Sequence, residues 1–182
     1  MEKLKVLGIC GSLRKHSTNL GLLRYACENA PAGVMINIAD LNEVPFYNAD
    51  LTEKPVAVQA LLADMEQAEV FLLACPEYNY SLAPALKNAL DWASREPDNH
   101  LLFGKPAAIL GAGGGMGTSR SQYHLRQVCV FLNLHLLNKP EIFCNAFTGS
   151  FDEEGTLVDE KIQGLIVEQL DALQQWAQRL RA

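Results

Sequence analysis

The 182 residues, 49% hydrophobic and 20% charged, are enough for a single domain with a sizeable core. A net charge of −6 and a pI near 5.2 exclude a general nucleic-acid surface, which needs a basic face. No apolar run is long enough to cross a bilayer, and the five cysteines and four histidines lack the spacings of a disulfide framework or a zinc site. Neither a membrane protein nor a metal site is expected, and reduced thiols suit a cytoplasmic chain.

A first strand is expected at residues 5–10; Met1-Glu2-Lys3-Leu4-Lys5 has the charge of a signal n-region, but the apolar stretch after it is short, turns polar by Ser12 and has no small-residue cleavage site. It delivers Gly11-Ser12-Leu13-Arg14-Lys15-His16-Ser17 onto a helix over 18–30, with Leu20, Leu23, Ala26, Cys27 and Ala30 on one face. A second strand at 34–39 and a helix over 56–68, with Val58, Leu61, Leu62 and Met65 inward, lead to an apolar strand at 70–74. The next helix begins near Ala83, with Pro84 in its first turn. A fourth strand at 107–111 and a glycine run precede a helix over 119–132, a weaker strand pattern lies near 134–143, and Asp159 is placed to cap the last helix. Strand and helix alternate without repeat or linker, the pattern of an α/β, three-layer sandwich over 1–182: a five-stranded parallel sheet with helices on both faces. In the mononucleotide-binding version of this architecture the strand order is 2-1-3-4-5, and the ligand crevice opens at the carboxyl ends of strands 1 and 3.

Three loops carry unusual chemistry. The first places Ser12, Ser17, Thr18 and Asn19 around a helix N-terminus, where unpaired N–H groups and the helix dipole favour an anion. It has neither Gly-Lys-Ser/Thr for a triphosphate nor Gly-x-Gly-x-x-Gly for a dinucleotide, so a single phosphate of a mononucleotide is the expected occupant. Capping alone would explain Ser17-Thr18-Asn19; Arg14 and the position after a strand tip the reading toward phosphate. The second loop, Cys75-Pro76-Glu77-Tyr78-Asn79-Tyr80-Ser81, is polar and aromatic, and the third, Gly111-Ala112-Gly113-Gly114-Gly115-Met116-Gly117, lets backbone approach a flat ligand. Cys10 reads as a buried, inert thiol and Trp176 as core at helix spacing from Leu173 and Leu180.

Gly11-Ser12-Leu13-Arg14 with Ser17 and Asn19, then Pro76-Glu77-Tyr78-Asn79, then the glycine run leading to Gln122-Tyr123-His124-Leu125-Arg126, resembles the NADPH-dependent FMN reductase family of the flavodoxin-like fold, whose members include quinone, chromate and azo reductases. The resemblance implies that Ser12, Arg14, Ser17 and Asn19, with Leu20 behind them, hold the FMN phosphate. It implies that Pro76, Glu77, Tyr78 and Asn79 bracket the isoalloxazine ring, and that Gly113, Gly114 and Gly115 approach its edge. It further implies an enzyme with no catalytic side chain, in which hydride passes from NADPH or NADH through flavin N5 to a small acceptor such as a quinone, chromate, an azo compound or a flavin, in a two-electron ping-pong cycle. A flavodoxin-type FMN electron carrier is the alternative, disfavoured because 15 basic against 21 acidic residues is mild for a carrier steered to basic partners. A homodimer or homotetramer is expected, the tetramer through Tyr80, Arg120, Tyr123 and Glu141.

Overall fold

The central strand of the sheet is buried on both faces, and its alternating side chains divide the core in two. The structure, a computed structural model, describes residues 3–181, so Met1, Glu2 and Ala182 lie outside the described residues. Strand β1 is Leu4–Cys10, β2 is Val34–Ile38, β3 is Val70–Ala74 and β6 is Pro106–Gly113, separated by helices α1 (Thr18–Glu28), α2 (Val56–Gln67) and α3 (Pro84–Ala93) and a short hairpin, β4 (Glu77–Tyr78) and β5 (Ser81–Leu82). After β6 come α4 (Ser119–Leu132), β7 (His135–Leu136), β8 (Ile142–Asn145) and α5 (Glu160–Arg181). The parallel order is β2-β1-β3-β6, with Val6 beside both Ile36 and Val70, and Leu73 beside Ile109.

Phe71 and Leu73 of β3 point to a core built with Leu61 and Met65 of α2, Leu86 and Leu90 of α3, and Leu125 and Cys129 of α4. Val70, Leu72 and Ala74 point the other way, to Leu22, Leu23 and Ala26 of α1 and Ile166, Leu170 and Leu173 of α5. An all-apolar strand covered by helices on both sides is what a parallel sheet requires. Asp159 caps α5 as the spacing predicts, its Oδ1 accepting from the backbone N–H of Lys161 at 3.0 Å and Ile162 at 3.3 Å.

The fifth position of the sheet differs from the single strand expected at 134–143. It holds two short strands that pair with opposite ends of β6: His135–Leu136 beside Pro106–Ala107, and Ile142–Asn145 beside Leu110–Gly113. Pro140 has no N–H to give to a ladder, which interrupts the strand. The buried Gln169 of α5 fills the break, its Nε2 donating to Ile109 O at 3.0 Å and Pro140 O at 2.9 Å. Because β8 pairs as far as Asn145, β6 runs to Gly113, two residues beyond the expected 111. Helix α1 stops at Glu28, earlier than 30, with the Asn29 N–H closing on Tyr25 O. Beyond these strands the segments that follow β1, β3, β6 and β8 all emerge at one edge.

Candidate active site

A cavity of about 350 Å³ opens at that edge, lined by Ser12, Arg14, Ser17, Thr18, Asn19, Pro76, Glu77, Tyr78, Ala112, Gly113, Gly114, Ala146 and Phe147. At one end the β1–α1 loop wraps the start of α1. The Ser17 hydroxyl oxygen caps the helix by accepting from Leu20 N at 3.2 Å. The amides of Thr18 and Asn19 are first-turn donors without intrahelical acceptors, and the exposed Arg14 guanidinium has no ion-pair partner among the described residues. Hydroxyls, open amides and a free guanidinium around one helix start form a set of donors suited to a phosphate monoester.

Asn19 borders the same cavity, but its amide is engaged: Nδ2 donates to Ala112 O at 2.8 Å and Oδ1 accepts from Ala112 N at 3.0 Å. It ties the start of α1 to the end of β6, so its side chain sets the cradle's distance from the sheet. The glycines divide by cause. A Cβ at Gly113 would strike the backbone of Gly117 and the Thr118 methyl, and one at Gly111 would strike Thr118, so both are required by the chain's own packing. At Gly114 a Cβ would meet nothing closer than the Phe147 ring at 4.0 Å, and the backbone needs no positive φ. Its missing side chain therefore leaves room in the cavity itself.

Glu77–Leu82 forms a two-residue hairpin whose turn residues, Asn79 and Tyr80, both have positive φ, 50° and 69°. Asn79 is thus a turn residue outside the cavity lining, while Tyr78 presents its ring at the mouth. The Glu77 carboxylate, 6% exposed, faces α4: Oε1 accepts from Arg120 Nε at 2.6 Å and Oε2 from Ser121 N at 3.3 Å. That hydrogen bond pushes the Arg120 guanidinium up, and the same group lies 3.8 Å over the Tyr80 ring. Ser81 Oγ and His124 Nδ1, 3.1 Å apart, add a second link between hairpin and α4. The buried thiols are no nucleophiles: burial pushes Cys75, just after β3, up to about 11 and Cys129 of α4 to about 12, and raises Cys10 at the end of β1 as well.

Of the other residues singled out from the sequence, Leu20 lines a neighbouring cavity and Gly115 stands exposed outside the lining. Thr18, read from the sequence as one of the donors at the helix start, lines the cavity, whereas Ala112, Ala146 and Phe147 were missed. Phe147, 84% exposed, stands at the mouth with Tyr78. Its signal was the polar-aromatic stretch Asn145-Ala146-Phe147-Thr148 after the fifth strand, hidden because that strand was weakly marked.

A model of the NADPH-dependent FMN reductase family matches residues 4–149, which include the cradle, the hairpin and Phe147. The chain belongs to that family. An NAD(P)H-dependent FMN reductase of Pseudomonas aeruginosa is 49% identical, over 99% of this chain and 98% of its own length. An NAD(P)H:quinone oxidoreductase of Solanum tuberosum is 48% identical over 98% of this chain and 95% of its own. Among solved structures, the flavoenzyme NAD(P)H:(acceptor) oxidoreductase of Paracoccus denitrificans superposes with a TM-score of 0.86 at 29% identity, covering 96% of this chain and 97% of that one.

Proposed function

We propose that the chain is an FMN-dependent NAD(P)H oxidoreductase acting on a small acceptor. The observation that carries this reading is one 350 Å³ cavity with a phosphate-type cradle at one end and, at the other, a mouth carrying two aromatic rings beside the bare backbone of Gly114. FMN fits it: Ser12, Arg14, Ser17 and Thr18 with the α1 amides would hold the phosphate, and Pro76, Glu77, Tyr78, Gly113, Gly114 and Phe147 would surround the ring. Asn79 and Gly115 support that wall from outside the cavity, Asn79 as a turn residue and Gly115 as continuation of the glycine loop. When bound, FMN supplies the hydride chemistry between a nicotinamide and an acceptor. The chain's part is to fix the ring against the sheet edge, leave one face open to each substrate in turn, and keep that face dry with Tyr78 and Phe147. No side chain here needs to move a proton.

The relatives named above as quinone oxidoreductase and FMN reductase support a quinone or a flavin as acceptor and favour an enzyme over a carrier. The test is steady-state oxidation of NADPH and NADH by the FMN-saturated chain, with a quinone, free FMN, chromate and an azo dye offered side by side. Turnover with the quinone or FMN is expected. No turnover with any acceptor by a flavin-loaded chain would leave an electron carrier as the reading.

We also propose a homo-oligomer, with at least a two-fold pair. Tyr80 (67% exposed), Tyr123, Val130 and Phe131 crowd the hairpin and the outer face of α4. Arg120 and Glu141, already engaged within the chain by Glu77 and by Lys139 at 2.5 Å, would extend these polar links to a partner in a tetramer. A cytoplasmic location is supported by five free cysteines, and among the described residues no helix is long and apolar enough to cross a membrane.

A further inference from the structure

A second cavity, of about 230 Å³, lies on the far side of the β1–α1 loop, between that loop and the end of β2. Ser12 and Arg14 line both cavities, so the two are neighbours across a single turn of chain. Lys15 and Arg24 also line this second cavity, and neither makes an ion pair among the described residues. Cations left unpaired around one concavity are an anion site awaiting its anion. The one acid in the lining, Asp40, has Oδ1 occupied by its own turn, accepting from Asn42 N at 3.0 Å and Asn42 Nδ2 at 2.7 Å. The remaining wall is apolar, formed by Leu13, Leu20, Ile38 and Leu41. Cys10 lines this cavity too, and burial raises its thiol, so it adds no negative charge opposite Lys15 and Arg24.

An anion that also offers a flat apolar ring, and that must reach from here to the flavin cavity, has the chemistry of a phosphorylated adenosine attached to a nicotinamide. We infer that this cavity takes the 2′-phosphoadenosine end of NADPH, with Lys15 and Arg24 pairing with the 2′-phosphate and the Leu20–Ile38–Leu41 wall against the adenine. The inference rests on the FMN reading, because the nicotinamide end must lie over a ring held in the first cavity. Arg14 stays with the flavin phosphate, and Lys15 and Arg24 discriminate NADPH from NADH.

The test uses the chain as purified, saturated with FMN, and titrates it by calorimetry at low salt with adenosine 2′,5′-bisphosphate, 5′-AMP and inorganic phosphate. The bisphosphate should bind at least about tenfold tighter than 5′-AMP, the size of one charge-assisted hydrogen bond. That advantage should disappear in the double variant Lys15→Glu/Arg24→Glu, and with it the ratio of kcat/KM for NADPH over NADH should fall by at least about tenfold. Equal binding of bisphosphate and 5′-AMP, or inorganic phosphate binding as tightly as the bisphosphate, would overturn the assignment. So would a double variant that binds FMN normally and keeps its nucleotide ratio. Failure of the underlying FMN reading is separable, because it appears as a chain that takes up no flavin.

Discussion

Arg14 is an exposed guanidinium without an ion-pair partner among the described residues, beside hydroxyls and helix amides that also await an acceptor. Such a group contributes little to folding and much to holding an anion. Arg14→Ala is therefore expected to weaken FMN by about 1.5–3 kcal/mol while leaving riboflavin affinity nearly unchanged. Fluorescence titration of both ligands reads the difference. Asp159 makes the opposite case, a carboxylate spent on the fold. The Ser150 hydroxyl at 2.9 Å and the Ile162 and Lys161 amides hold its pKa below the ordinary carboxylate value. A depressed folded-state pKa gives stability that is present above the unfolded value and lost as the pH falls through the folded one. Asp159→Ala should lose about 1 kcal/mol near neutrality, and urea titrations at decreasing pH should show wild type and variant converging. The Asp159 cap was legible in the sequence because a cap depends on near neighbours, and the proposed role of Arg14 was read from near neighbours in the same way. Asn19 was read as a phosphate donor, whereas its side-chain amide is engaged by the end of β6. Its partner Ala112 is 93 residues away, and no local spacing encodes that pair of hydrogen bonds.

At the scale of elements, the hairpin of β4 and β5 is too short to stand alone and is held from α4. Tyr80 at φ 69° and Asn79 at φ 50° carry a backbone cost that the Arg120 contacts with Glu77 and Tyr80 offset. Arg120→Ala leaves the nearly buried Glu77 carboxylate without its cation. The cost to the fold is expected to stay below that of a fully buried pair because the guanidinium is in water. Amide exchange at Tyr78 and Ser81 should accelerate more than in β1 or β3, whereas a uniform acceleration would mean that Arg120 does not act through the hairpin. The segment 77–82 reads as a plain loop in sequence, since two-residue strands have no periodicity to show. The broken fifth strand was half visible: Pro140 marks the interruption, but the Gln169 amide that fills the break arrives from α5.

Across the whole molecule, the alternation of strand and helix gave a parallel sheet covered on both faces, and the single-phosphate loop after the first strand selected the mononucleotide order 2-1-3-4-5. The same order predicted where the cavity opens. What it could not show was Phe147, which reaches the cavity only because β8 pairs with β6 one register step beyond the apolar run. The exposed aromatics of α4 belong to this scale too. Light scattering on the purified chain should give a single species larger than the 20.0 kDa protomer, and a monodisperse monomer would contradict the oligomer.

The central claim is that the cavity between β1, β3, β6 and β8 is an FMN site anchored by its phosphate. Titration of the flavin-free chain with FMN, riboflavin and FAD, followed by flavin fluorescence, tests it most directly. Tight stoichiometric binding of FMN, with riboflavin at least about tenfold weaker for want of the charge-assisted phosphate contacts and FAD weaker than FMN, is the predicted result. Riboflavin or FAD binding as tightly as FMN, or no flavin bound at micromolar protein, would contradict it.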